Sequence, residues 1–235
     1  MSMSDRVTVE FKLRLTFDRP EPTSYAAFRT YATANISDAY QKRQTLPHHI
    51  KPVYAGCPGI VGPAITVQVT PGDELLPLKA IEIARPGDVV VVVGAYSPRF
   101  SLWGGVMSTM AKTRGVVGLI TDGLIRDVAE TRDAGFAVYA AGVTPCAPCI
   151  NVPPGELNYP MVFGSAEIRP GDVMVADEDG VVCVRREDIA AVDAAVRARI
   201  EKEQGWHREI QRTRSMILKD MVDKTLAART TQIEP

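Results

Sequence analysis

Residues 81–96 read IEIARPGDVVVVVGAY, and this stretch decides the fold class. Pro86-Gly87-Asp88 is turn chemistry, because proline presets φ and glycine reaches backbone conformations closed to other residues. Val89 to Val93 then follow as an unbroken β-branched run. A strand with one wet face alternates polar and apolar residues. A strand without alternation is covered on both faces, as in a parallel sheet with helices packed on it. The turn and its strand recur, since ARPGDVVVVV at 84–93 is echoed by IRPGDVMVAD at 168–177. The echo predicts two similar turn-plus-strand elements, as pseudo-symmetric halves would carry. It is too short and single to mean a solenoid.

Outward from this stretch the elements alternate. IVGPAITVQV at 60–69 reads as a strand with a Gly-Pro kink, and SPRFSLWGG at 97–105 as a loop. A helix rich in Ala and Met is expected at 105–114, closed by Gly115. GVVGLIT at 115–121 is another buried strand, with Asp122 at a helix N-cap, and FAVYAAGVTP at 136–145 begins a third strand–helix step. Upstream, Val7, Val9, Phe11, Leu13, Leu15 and Phe17 alternate with polar residues, which predicts a half-buried strand over 7–17, ended by Pro20 and Pro22. A helix from Thr23 to about Ala34 and a second short one at 37–43 come next, and a polar helical tail runs from Glu187 to about Ala228 with a break near Gly205. The expected division is an N-terminal strand arm (1–20), an α/β core (21–186) and a C-terminal helical tail (187–235).

Composition narrows the function classes. The formal net charge is −1, so no bulk field draws the chain to nucleic acid or to a membrane. No apolar run approaches the roughly 18 residues of a spanning helix. The N-terminal residues lack the apolar stretch of a signal peptide, so the expected compartment is the cytoplasm. Cys57 and Cys183 read as packing residues. Cys146 and Cys149 form a C-x-x-C that suits a structural loop better than redox chemistry or half a zinc site. Zinc would need two more nitrogen or sulfur ligands, and His48, His49 and His207 are not spaced as a metal-binding pair.

The chemistry concentrates in WGGVMSTMAKTRGVVGLITDGLIRDVAE at 103–130, whose last third carries Asp122, Arg126, Asp127 and Glu130. Gly104 and Gly105 precede a helix, so the free amides of Val106 and Met107 can face a carboxylate or phosphate. Arg126 offers a planar fork that matches a carboxylate. Asp127 offers oxygen to a hard cation such as Mg2+, which commonly takes one or two protein carboxylates and keeps several waters. The same pair also suits a solvated helix start, with Asp127 favoured by the helix dipole.

Residues 104–130 resemble the core of the family named for the regulator of ribonuclease activity A, which includes the 4-hydroxy-4-methyl-2-oxoglutarate aldolases. The shared pattern is Gly105, twenty residues, then Arg126-Asp127, with further likeness in NISDAY, VGPAITV, both RPGDV turns and DEDGVVCV. The resemblance implies a swivelling-type α/β sandwich domain with a mixed sheet, carrying here an extra N-terminal strand and a C-terminal helical tail. It implies assembly as a trimer or hexamer with the site between subunits. It makes Arg126 the clamp for a pyruvate carboxylate, Asp127 the anchor of a divalent metal (Mg2+ or Mn2+), and Gly104, Gly105, Val106 and Met107 an amide cradle. A glutamate from a neighbouring subunit's C-terminal helix is also implied. Glu203 is the candidate, and an ion pair with Arg199 four residues earlier reads its sequence equally well. The aldolases tend to carry aspartate where this chain has Gly105, a departure that favours decarboxylation over aldol cleavage.

The expected function is therefore a metal-dependent lyase that cleaves a carbon–carbon bond of a pyruvate-derived keto acid, as a 4-hydroxy-4-methyl-2-oxoglutarate-type aldolase, an oxaloacetate decarboxylase or both. A small keto acid and further copies of the chain are its expected partners. The alternative is a non-enzymatic regulator that binds a ribonuclease or helicase. A methyltransferase reading is rejected, because no closely spaced glycine fingerprint follows VVVVVGAY.

Overall fold

The computed structural model describes residues 10–94, 99–148, 154–216 and 218–229. Val7, Val9, Cys149 and Ile217, which the sequence reading used, lie outside the described residues.

A nine-stranded mixed sheet is built around one long strand, Ile60–Gln68. On one flank Val89–Val93, Gly118–Thr121 and Ala137–Ala140 follow in parallel, and Lys51–Pro52 closes that edge antiparallel. The other flank is split. The first half of the long strand takes Val173–Asp177 antiparallel, with its hairpin partner Gly180–Val184, and the last residues take Gly155–Leu157. The valine run behaves as its lack of alternation requires. Val90 and Val92 enter one core cluster, Val89 and Val91 enter the cluster on the opposite face, and all four are fully buried.

Among the described residues six α-helices complete the fold: α1 (Thr33–Ala39), α2 (Leu75–Ile83), α3 (Gly105–Thr113), α4 (Val128–Asp133), α5 (Ile189–Thr213) and α6 (Lys219–Ala227). α2 and α3 supply Leu76, Ala80, Met107 and Ala111 to the cluster that takes Val90 and Val92. α1 and the start of α5 cover the hairpin through Ile36, Val192 and Val196.

The sequence echo is a structural echo. Asp88 accepts the Arg85 amide at 2.7 Å and Asp172 accepts the Arg169 amide at 2.8 Å, and the glycines between sit at φ 96° (Gly87) and 89° (Gly171). Each aspartate closes its turn from within. Their second partners differ. Asp172 takes the Arg186 amide at 3.0 Å, and burial raises its pKa above the usual carboxylate value. Asp88 is clamped through both oxygens by Arg19, at 2.7 Å each.

Several expectations need correction. The N-terminal strand pairs within its own chain. Phe11–Leu13 adds parallel to Gly155–Leu157 at the edge of its own sheet, and Asn158 fixes the chain beyond it by donating to the Arg14 carbonyl at 2.7 Å. Among the described residues its ladder is three residues long and Leu13 and Leu15 are exposed, so over 10–17 the alternation overstated the strand. The region 23–34 forms the 3-10 turns Pro22–Ser24 and Ala26–Thr30, and the first α-helix starts only at Thr33, beneath two hydrogen bonds from its residue Thr33 to Asp177. Asp122 caps no helix; it accepts the Gly94 amide at 2.8 Å and ties together the ends of two parallel strands. Ala137–Ala140 leads into the short strand Gly142–Val143 rather than a helix. α5 runs unbroken through Gly205, and the break falls at Arg214, whose φ is 51°. Among the described residues no helix is long and apolar enough to cross a membrane.

Candidate active site

The twenty-residue interval between Gly105 and Arg126 has a structural cause. A small parallel sheet pairs Ser101–Trp103 with Leu124–Ile125, and Leu124–Ile125 with Gly142–Val143. Trp103 stands opposite Ile125, and the Arg126 amide donates to the Trp103 carbonyl at 3.0 Å. Gly104 and Arg126 are therefore the residues that leave two neighbouring strands at the same level. α3 starts after one and α4 after the other, so both helix N-termini open on one spot at the strands' C-terminal ends.

The backbone is shaped for close approach there. A Cβ on Gly104 would lie 2.6 Å from Asp127 Oδ2 and 3.2 Å from Arg126 Nε, so any larger residue would push the Asp127 carboxylate from its place. Asp127 adopts the left-handed conformation (φ 57°, ψ 46°), which a short polar side chain tolerates better than most. That turn sends its carboxylate back toward α3, where Oδ2 accepts the Gly105 amide at 3.1 Å. Arg126 Nε lies 3.3 Å from the same oxygen as an ion pair, but it is buried and its geometry makes no hydrogen bond. Behind the site Trp103 Nε1 donates to Ser108 Oγ at 3.0 Å, and Ser108 donates to the Gly104 carbonyl at 3.1 Å. Thr131 of α4 stands 2.9 Å from the same hydroxyl, so a buried polar chain fixes α3, α4 and the strand to one another.

Arg126 and Asp127 thus come together with Gly104, Val106 and Met107 around a cleft of about 200 Å³. Other clefts are larger, one of about 460 Å³ beside Tyr40, Arg43 and Arg185, where Arg185 is already paired with Glu167. The first-turn amides of Val106 and Met107 have no acceptor inside α3 and remain available to an anion. The Gly105 amide is already taken by Asp127. Glu203 is not among the residues of this cleft; it pairs with Arg199 at 3.0 Å, and Arg199 also meets Asp38 of α1.

Two carboxylates at the site were not assigned from the sequence. Glu74, the residue before α2, lines the cleft; burial raises its pKa, Arg126 lowers it and Asp73 raises it further. Glu130 covers Gly105: a Cβ added there would lie 2.1 Å from Glu130 Oε2. A carboxylate therefore occupies the space that a side chain at residue 105 would fill. The signal was the spacing of Glu130 three residues after Asp127, which on a helix start brings both to one face.

For a metal the donors are few. Among the described residues no group of three or more His, Cys, Asp or Glu side chains is arranged to hold an ion. Cys146 holds its loop, its carbonyl accepting the Ser101 amide and hydroxyl at 3.0 and 2.7 Å, and its C-x-x-C partner Cys149 lies outside the described residues. A single exposed carboxylate such as Asp127 suits Mg2+, for which one hard carboxylate and a shell of waters suffice. Asp127 is 37% exposed, and its Oδ1 makes no hydrogen bond among the described residues.

The family model RraA-like, Aldolase/RraA, matches residues 33–183, well over half of the chain. The chain belongs to the RraA-like family. A putative 4-hydroxy-4-methyl-2-oxoglutarate aldolase of Halalkalibacterium halodurans is 40% identical over 67% of this chain and 74% of its own. The 4-hydroxy-4-methyl-2-oxoglutarate aldolase of Thermus thermophilus is 31% identical over 64% of this chain and 90% of its own. A solved structure of the RNA-processing inhibitor RraA from Thermus thermophilus is similar with a TM-score of 0.60 at 29% identity, over 66% of this chain and 92% of that one. These likenesses carry an aldolase-family function and the mixed α/β fold, and the matched span contains Gly104, Gly105, Arg126, Asp127 and Glu130.

Proposed function

We propose that the protein is a divalent-metal-dependent lyase that releases pyruvate from a keto acid, by retro-aldol cleavage, by decarboxylation of an oxaloacetate-type substrate, or by both. The observation that carries this reading is the convergence of Arg126, Asp127 and the α3 amides on one cleft, together with relatives named as aldolases. Arg126 binds the substrate carboxylate through its fork, and the Val106 and Met107 amides at the positive end of α3 complete that contact. Asp127 would hold Mg2+ or Mn2+, which when bound supplies Lewis-acid polarisation of the 2-keto group. Arg126 also places fixed positive charge where negative charge develops as the carbon–carbon bond breaks. Glu130 stands over Gly105, beside the cleft-lining Gly104 and Val106, and in this reading it swings into the cleft to take the proton from a 4-hydroxyl in aldol cleavage, so glycine at 105 does not leave the site without a nearby carboxylate. Asp127→Asn is expected to abolish both Mn2+ binding, read by electron paramagnetic resonance, and pyruvate release. Retention of either at the wild-type level would remove Asp127 from this role.

The Glu130 assignment makes an expectation that reverses the simplest reading of the sequence. Adding aspartate at 105 does not repair a deficient site, because its Cβ would collide with Glu130. Gly105→Asp alone should lower aldol cleavage at least about tenfold, and Gly105→Asp combined with Glu130→Ala should recover part of the loss. A single variant faster than wild type in a pyruvate-release assay would contradict the assignment.

We also propose assembly as a homotrimer or a dimer of trimers, with Glu203 of a neighbouring copy approaching the cleft. This rests on apolar surface that the chain itself leaves exposed: Ile210, Met216, Leu218, Met221 and Leu226 along the tail. Burial in α5 ends at Val196 and Ile200, so removing residues 205–235 should leave the fold intact while lowering the mass seen by light scattering. An unchanged oligomer after this truncation would take the tail out of the interface. The second reading, a regulator of RNA processing, is favoured by the name of the Thermus structure and predicts partner binding without turnover.

A further inference from the structure

We propose that the cleft selects keto acids with one carboxylate and an uncharged, apolar tail over keto diacids. The inference rests on reading the cleft as a keto-acid site, and it departs from the diacid in the names of the relatives.

Charge and surface both point this way. Among the described residues lining the cleft Arg126 is the only cation, while Glu74 and Asp127 bring two carboxylates. One substrate carboxylate uses the Arg126 fork. A second finds no cation left among these residues. It must approach Glu74, where like charges repel, or lie against Leu78, Val106 and Met110, where no donor replaces lost water. Glu74 and Leu78 are one helical turn apart, linked by the Leu78 amide donating to the Glu74 carbonyl at 3.0 Å, so α2 shows the cleft an acid and then an apolar side chain on one face. An alkyl or aryl tail gains on the same wall what a carboxylate loses. Val106 is 70% exposed and Met110 is also exposed, and covering them removes apolar surface from water. Selection here works by repelling the diacid as well as by attracting the monoacid. Even a divalent ion held by Asp127 only offsets the surplus of carboxylates, because Glu130 adds a third beside Gly105.

The test compares two ligands of equal chain length that cannot undergo the reaction, 2-oxopentanoate and 2-oxoglutarate. Their binding to the full-length protein with Mg2+ present is measured by calorimetry. The monoacid is expected to bind at least about tenfold tighter. Glu74→Gln should shrink that ratio about tenfold or more, and Val106→Lys, a change at an exposed position, should raise 2-oxoglutarate affinity. In parallel, kcat/KM for pyruvate release from 4-hydroxy-2-oxo acids with methyl or phenyl tails should exceed that for 4-hydroxy-4-methyl-2-oxoglutarate. If the monoacid binds preferentially but no substrate yields pyruvate, the lyase reading fails and the selectivity stands. If 2-oxoglutarate binds equally or more tightly, through a cation of a neighbouring copy or otherwise, the selectivity is overturned while the lyase reading survives.

Discussion

Arg126→Ala lowers kcat/KM for pyruvate release by roughly 30-fold to several thousand-fold, the effect of removing one partner of a desolvated charge pair worth about 2–5 kcal/mol. The fold survives, because the side chain stands at the cleft, 37% exposed, and its backbone amide rather than its guanidinium joins the strand ladder. Among the described residues its buried Nε makes no hydrogen bond and lies 3.3 Å from Asp127 Oδ2, so the guanidinium holds no part of the fold together beyond that neighbouring carboxylate. Arg126→Lys should recover little, since an ammonium cannot reproduce a planar fork. Circular dichroism confirms the fold and steady-state kinetics reads the loss. A variant within threefold of wild type would remove the carboxylate clamp from the mechanism.

Arg19→Ala is expected to destabilise the protein by about 3–5 kcal/mol, the cost of leaving a buried carboxylate without its cation. Asp88 is 1% exposed and meets the guanidinium through both oxygens at 2.7 Å, so water cannot replace what the substitution removes. Adding Asp88→Asn should return part of the loss, because the uncompensated charge goes with it. Urea denaturation measures both. A loss below about 1 kcal/mol would mean that the pair behaves as a surface ion pair. The same experiment tests the arm, whose link to the core is this pair as much as its short strand.

The sequence was most legible where local chemistry and tertiary demand agree. Val89–Val93 could be read because burial on both faces leaves no polar position, and the two RPGD turns because glycine and aspartate are each needed for a local reason. Arg126, Asp127 and the Gly104–Met107 segment, which the structure brings around one cleft, were singled out as candidates through a spacing whose cause, the pairing of Trp103 with Ile125, only the structure supplies. The arm misled because alternation shows which face could be buried but not how many residues find a partner. Among the described residues three pair, and Leu13 and Leu15 remain exposed. Asp122 misled because an aspartate after a strand serves equally as a helix cap or as an acceptor for a neighbouring strand's amide. Glu74 and Glu130 were illegible as site residues for another reason. Glu74 reaches the cleft from α2, thirty residues before the glycines in sequence, and Glu130 matters because Gly105 leaves it room. For Glu130 the spacing from Asp127 is a local sign of a shared face and no more, and for Glu74 there is no local sign at all.

The central claim is that Asp127 and Arg126 form a metal-dependent pyruvate-releasing site. The most direct measurement is pyruvate release by EDTA-treated protein from a panel holding oxaloacetate, 4-hydroxy-4-methyl-2-oxoglutarate and a 4-hydroxy-2-oxo monoacid, before and after Mg2+ is restored. The expected result is no release without the ion, release from at least one substrate with it, and no recovery by Mg2+ in Asp127→Asn. Release that is equal with and without the ion, or that persists in Asp127→Asn, would contradict the account.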